Sequence, residues 1–302
     1  MKNITLEQLL EAGCHFGHKS ERWHPKAAEF IWQEKDGIHI IDLAKTKAGL
    51  DAAIDYLYEL GSLGSTVIFV GTKRQAQGVV KQAATAAGAS FLINRWIGGF
   101  MTNWDGISKN IKKVNTMTAD QATGAWKKFP KHEQMAMARD LRRLMADYEG
   151  VLTLSKPPAA LVVVDVRKEQ ISVKEALSLG IPVVGIVDTN ANPTGIDYTI
   201  PANDDAVGSV ELLVNALAQA YHQGLEKFQK EAEVAAGKVA PVVAEPLVAN
   251  INTIIKTESK IVKEIMKVEK PASPEASQGG KEEVKVVKEI KKPTKVKKSV
   301  KE

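Results

Sequence analysis

Short, unbroken apolar runs limit the fold most. Residues 66–70 (TVIFV), 161–166 (LVVVDV) and Val183–Val187 (VVGIV) are rich in β-branched side chains and do not alternate with polar ones. Such a strand is expected to be covered on both faces, which points to a parallel sheet between helical layers. The residues between the runs agree. A polar–apolar stretch over 72–87 reads as a helix closed by Gly88, and 167–179 reads as another closed by Gly180. Shorter strands are expected at 90–93 and 198–200. Asn203 then caps a helix over 204–223, whose apolar positions Val207, Val210, Leu213, Val214 and Leu217 follow helical spacing. The predicted fold class is α/β, a mostly parallel sheet with helices on both faces.

Residues 104–149 break this alternation. Ile107, Ile111, Val114 and Met117 form one helical stripe, and Met137, Leu141, Leu144, Met145 and Tyr148 form another. With Gly124 and Pro130 between them, they predict an inserted antiparallel helical hairpin. Its surface carries Lys109, Lys112, Lys113, Lys127, Lys128, Lys131, Arg139, Arg142 and Arg143. Residues 1–103 and 150–229 then make the core domain with an N-terminal arm. Residues 230–302 read as a Lys-rich, mostly disordered tail, with a transient helix at 251–268.

The chain's net charge of +5 has to be located before it is used. Residues 251–302 hold 14 Lys and 8 Glu, so the other 250 residues carry a net charge of −1. Any basic surface on the folded part must therefore come from clustering. A single cysteine excludes an intramolecular disulfide and fits a reducing compartment. The start, MKNITLEQLL, lacks a basic leader followed by an apolar run, and no apolar run is long enough to span a bilayer. A cytoplasmic protein without membrane contact is expected.

Four clusters carry chemistry. The first joins Cys14, His15, Phe16, His18 and Lys19 to Arg22, Trp23, His24 and Lys26. A Cys and three His invite a zinc reading, but the spacing matches no usual finger. Cations and flat rings together suit RNA, the cations for phosphates and the rings for exposed bases. Packing of a structural arm is the plainer alternative. The second is Gly71-Thr72-Lys73-Arg74 at a strand-to-helix turn. Free N–H groups there favour phosphate, although no nucleotide-binding motif is present. The third comes directly after a strand and holds Arg95, Trp96, Gly98, Gly99, Phe100, Asn103 and Trp104. Its rings and amides can meet RNA or anchor the hairpin to the sheet. The fourth is acidic: Asp165 and Asp188 end strands, and Asp204 and Asp205 begin a helix. Asp188, Asp204 and Asp205 are the candidates for a structural divalent cation, with simple helix capping as the alternative. No other cofactor is expected.

The order HFGHKSERWHPK, FVGTKRQA, NRWIGGFMTNW, GIPVVGIVDTNANP and IPANDDA resembles the bacterial small-subunit ribosomal protein S-two family, over residues 4–229. The resemblance implies a flavodoxin-like domain with a protruding helical hairpin. It also implies a non-enzymatic role in the small subunit: binding its ribosomal RNA, contacting other small-subunit proteins and recruiting the messenger-binding first protein of that subunit. No homo-oligomer is expected. His15, Phe16, His18, Arg22, Trp23, Lys73, Arg74, Arg95 and Trp104 are the motif positions expected to face RNA, and chemistry adds Lys19, Lys26, Trp96 and Asn103. Two other classes stand beside this: a nucleotide- or metal-dependent hydrolase using Asp165 and Asp188, and a membrane-surface or adaptor role for the tail.

Overall fold

The structure is a computed structural model that describes residues 4–236. The predicted tail beyond residue 236, with its transient helix at 251–268, lies outside the described residues. The N-terminal part runs α1 (Leu6–Glu11), β1 (Phe16–Lys19), β2 (Ile31–Lys35), β3 (Ile38–Ile41) and α2 (Leu43–Ser62). The sheet domain continues with β4 (Val67–Val70), α3 (Arg74–Ala87) and β5 (Ser90–Leu92). Next come α4 (Trp104–Thr123), α5 (Lys131–Tyr148), β6 (Ala160–Val164), α6 (Gln170–Leu179), β7 (Val183–Val187), β8 (Tyr198–Pro201) and α7 (Val207–Ala236).

The main sheet is parallel throughout, in the order β5-β4-β6-β7-β8. This is the flavodoxin-like arrangement. Its chain leaves β4 for one neighbour and returns on the other side, which opens a crevice at the carboxyl ends of β4 and β6. Both faces are buried, as the continuous apolar runs require. Val67, Phe69, Val162, Val164, Val184 and Ile186 join a core with Leu50 and Leu57 of α2, Val80 of α3 and Leu213 of α7. Ile68, Val70, Leu161 and Val163 point the other way, into a core with Ile107 and Ile111 of α4, Leu141 of α5 and Val173 of α6. The hairpin's two stripes are thus continuous with the second core. Gly88 and Gly180 close their helices at φ of 69° and 66°, as expected.

Three features depart from the sequence reading. First, α7 runs to Ala236 rather than Gln223, so residues 230–236 belong to a helix and not to the tail. Gly224 suggests a stop, but it is where α7 crosses α2. A Cβ on Gly224 would sit 2.3 Å from the Tyr58 carbonyl oxygen, and one on Gly61 would sit 2.4 Å from that of Tyr221. The two glycines let the backbones touch. Second, α7 starts at Val207. Before it, the Asn203 side chain accepts hydrogen bonds from the backbone N–H of Asp205 (2.8 Å) and Ala206 (3.1 Å), which holds Asp204 and Asp205 in a turn. Third, the N-terminal arm is a small antiparallel sheet in the order β1-β3-β2. Most residues of β1 and β2 are partly or fully exposed, so no buried run marks them.

Candidate functional site

The crevice is lined by residues just past the carboxyl end of each strand. Lys73 stands at the start of α3, Asp165 comes after β6 in the left-handed region (φ 64°), Asp188 after β7, and Asp204 and Asp205 after β8. The Lys73 ammonium lies 2.8 Å from Asp204 Oδ1, 2.6 Å from Asp205 Oδ1 and 3.5 Å from Asp165 Oδ2. Burial works against its charge, but hydrogen bonds to Asp204 and Asp205 outweigh this and hold its pKa above the ordinary lysine range. Asp204 is buried, and burial with the nearby charges of Asp165 and Asp188 pushes its carboxyl up to about 7 against the opposing pull of Lys73. The turn that reads as a phosphate cradle thus directs its lysine inward onto carboxylates. Arg74 beside it is exposed and has no ion pair among the described residues.

The arm docks over the end of β7. The His18 N–H donates to Thr189 Oγ1 (2.9 Å) and the His24 N–H to the Thr189 carbonyl (2.8 Å). A Cβ on Gly17 would fall 2.7 Å from Thr189 Cγ2, so the glycine in HFGH permits the approach. This docking brings the His18 ring among the acids: Nδ1 is 3.1 Å from Asp188 Oδ2 and Nε2 is 3.4 Å from Asp205 Oδ2. The hydrogen bond to Asp188 raises the His18 pKa, partly offset by burial. His18, Asp188 and Asp204 each offer an atom within 4.8 Å of the others, the one such metal-type group among the described residues. Of the expected Asp188, Asp204 and Asp205, the first two are brought together with His18, and Asp205 is not in the group. Asp205, more than half exposed, faces Lys73 and His18 from outside the group. Cys14 is buried, and His24 caps the turn at Pro25 by accepting from the Lys26 N–H, so the Cys–His zinc reading does not converge.

Around this acidic centre lies a cationic, aromatic rim. Phe16 and Trp23 are 48% and 41% exposed, unusual for rings of this size. Lys19 and Arg22 are exposed and have no ion pair among the described residues, whereas Lys26 donates to Thr194 Oγ1 at 2.8 Å. The ring centroids of His15 and Phe16 lie 4.0 Å apart. Arg167, exposed after β6, joins the rim, and no motif in the sequence singles it out.

The loop 94–104 is organised from within by a residue that the sequence reading does not mark. Glu175 of α6 accepts from Trp96 Nε1 (3.0 Å), Gly99 N (2.7 Å) and Met101 N (3.1 Å), with Thr102 at 3.5 Å. Burial raises its pKa, but these donors outweigh burial and hold the carboxylate below the ordinary range. Trp96, Phe100 and Trp104 pack in sequence, with centroids 5.3 and 5.9 Å apart. Trp96 and Trp104 are half-buried, Asn103 is exposed, and Arg95 is exposed but paired with Asp147 at 2.6 Å. The anchoring alternative therefore accounts for most of this loop.

Comparison with known proteins adds independent findings. The family described as Ribosomal protein S2 matches residues 9–224. The protein "Small ribosomal subunit protein uS2" of Chlorobium luteolum is 42% identical over 243 residues, covering 80% of this chain and 96% of the relative. Its counterpart in Parabacteroides distasonis is 45% identical over 231 residues, covering 76% and 83%. That of Koribacter versatilis is 41% identical over 230 residues, covering 76% of each.

Proposed function

The chain belongs to the ribosomal protein S2 family, whose members are structural and non-enzymatic, and from that membership we propose that it binds small-subunit ribosomal RNA through the rim of its sheet's carboxyl edge. As a small ribosomal subunit protein it supports translation, and the hydrolase alternative falls with this membership. No described helix is long and apolar enough to cross a membrane. The observation that carries RNA binding is the rim itself. Lys19, Arg22, Arg74 and Arg167 are exposed, have no carboxylate partner among the described residues, and accompany the exposed ring of Trp23. Unpaired cations neutralise phosphates, and an exposed indole stacks on an unpaired base. Lys73 has a different task in this reading, since its charge is spent on Asp165, Asp204 and Asp205. His18 and Lys73 position the rim, and Lys26, Arg95, Trp96, Asn103 and Trp104 supply further contacts at its edges. Contacts to neighbouring small-subunit proteins, and recruitment of the messenger-binding first protein, rest on the family resemblance. The exposed basic surface of the hairpin is the face offered for them. The corresponding localisation is cytoplasmic and ribosome-bound.

The test is the salt dependence of binding to small-subunit RNA. Each phosphate contact contributes about 0.7–0.9 to the slope of log affinity against log salt. Replacing Arg22 and Arg74 by alanine should flatten the slope by up to about two contacts. An unchanged slope removes this edge from the interface.

A further inference from the structure

We propose that Trp23 is a fixed stacking platform for an unpaired base of the RNA, and that His39 is the positioning residue that sets its ring in place. This deepens the RNA-binding reading above and rests on it. The centroids of the two rings lie 5.6 Å apart at an interplanar angle of 76°, an edge-to-face contact. Aromatic pairs favour that geometry. Trp23 keeps 41% of its surface exposed, so the contact holds the indole without covering it. Exposure alone does not fix a ring. Trp32 is 67% exposed and has no aromatic ring contact among the described residues.

Two observations support this. First, His39 occupies a position where an aliphatic side chain is expected. It lies on β3 two residues before Ile41, and successive residues of a strand alternate between faces, so the two share the inward face. Yet a histidine is buried there, with Nδ1 lacking any hydrogen-bond partner among the described residues. A buried nitrogen left unpartnered is costly. What the ring supplies in return, and an aliphatic chain would not, is its aromatic contact with Trp23. Second, the backbone on both sides of Trp23 is held. Arg22 ends a 3-10 turn, the His24 N–H donates to the Thr189 carbonyl at 2.8 Å, and His24 Nδ1 accepts from the Lys26 N–H. Backbone and ring are thus both set before RNA arrives, which lowers the ordering cost of binding. The chemistry also selects the RNA. Bases inside an A-form duplex are stacked on one another, so an indole face meets only a base turned out in a loop, a bulge or an end. Arg22, exposed next to Trp23 in the chain, is placed for the adjoining phosphate.

The test uses the full chain with small-subunit ribosomal RNA, read by binding titration and by zero-length ultraviolet crosslinking. Trp23→Ala should lower affinity about fivefold or more at an unchanged salt slope, since the indole carries no charge. The unmodified chain should crosslink through Trp23 to a nucleotide that is unpaired in the RNA. His39→Leu should weaken both affinity and the Trp23 crosslink by roughly two- to tenfold, and His39→Phe, which keeps a ring at that place, should restore both. If His39→Leu fails to fold, proton NMR of the unmodified chain decides: cross-relaxation between the His39 and Trp23 rings should persist when RNA is added. Four results overturn the proposal: no crosslink at Trp23, a crosslink to a base-paired nucleotide, leucine and phenylalanine at position 39 behaving alike, or loss of the ring contact on binding. The two readings fail separately. A flattened salt slope in the Arg22 and Arg74 double variant, with no crosslink at Trp23, keeps the rim as the RNA interface and removes the stacking platform.

Discussion

Replacing Glu175 by glutamine tests whether one carboxylate builds the 94–104 loop. The Glu175 carboxylate accepts three good hydrogen bonds, from Trp96 Nε1, Gly99 N and Met101 N, at 2.7–3.1 Å. Glutamine keeps an oxygen for Trp96 and Gly99 but turns an NH₂ towards Met101 N–H and Thr102 N–H. A charged acceptor contributes roughly 1.5–3 kcal/mol per bond, and a buried N–H left unpaired costs about 1–3 kcal/mol. E175Q should therefore destabilise the chain by about 2–4 kcal/mol, read as a fall in the urea midpoint at unchanged slope.

The pH dependence separates the causes. Burial alone would raise the Glu175 pKa; the four donors together leave it lowered from 4.5. A carboxyl whose folded pKa is depressed contributes stability that is fully present above the unfolded value and is lost as pH falls through the folded one. The gap between the unmodified chain and E175Q should thus stay flat from about pH 8 to pH 5 and shrink only below the ordinary glutamate range. A gap that closes already between about pH 7 and 6 means that burial dominates, and a cost under about 0.5 kcal/mol means that the donors are satisfied without Glu175. Either result refutes the account of the loop.

Lys73→Met should lower stability by roughly 3 kcal/mol by stranding Asp165 and Asp204, while the salt slope of RNA binding stays unchanged; denaturation and binding titrations read the two effects separately. Gly224→Ala should destabilise by about 1–3 kcal/mol or more, since its Cβ meets the Tyr58 carbonyl oxygen; wild-type melting would remove the close crossing from the fold. Arg95→Ala should leave the urea midpoint nearly unchanged, because its pair with Asp147 is at the surface; high salt should shrink any difference further.

The sheet is legible in the sequence because its strands are buried on both faces, and residues such as Val67–Val70 and Ala160–Val164 show this without alternation. The hairpin is legible from its stripes at helical spacing. The arm is not: β1 and β2 are short and largely exposed, so their pairing with β3 leaves little pattern to read. Helix α2 escapes the strand-and-helix alternation, and α7 reads short because Gly224 as a crossing contact looks the same as Gly224 as a stop. At the site, Asp165, Asp188, Asp204 and Asp205 stand out because strand ends are where such a sheet gathers its polar groups. Their partners are harder to find. Lys73 meets Asp204 across 131 positions and His18 meets Thr189 across 171. A lone lysine at a helix start reads as a phosphate ligand until its neighbours are known. Glu175 gives no signal at all, since a glutamate in a helix reads as a solvated face.

The arrangement of charge bears on how an RNA would approach. The first 250 residues carry a net charge near −1, so attraction at long range is weak. At physiological salt the field of an exposed charge is screened over about 8 Å, which confines the rim's pull to close encounter. Asp205, more than half exposed at the centre of that edge, repels a phosphate placed over the crevice itself. The proposed RNA contact would therefore favour phosphates at Lys19, Arg22, Arg74 and Arg167 and disfavour them between these residues. On the proposed reading, the edge selects an RNA shape whose backbone passes around the crevice, with Trp23 meeting a base. On the same reading the acidic centre would contribute orientation and the rim affinity, which a uniformly basic patch would not separate.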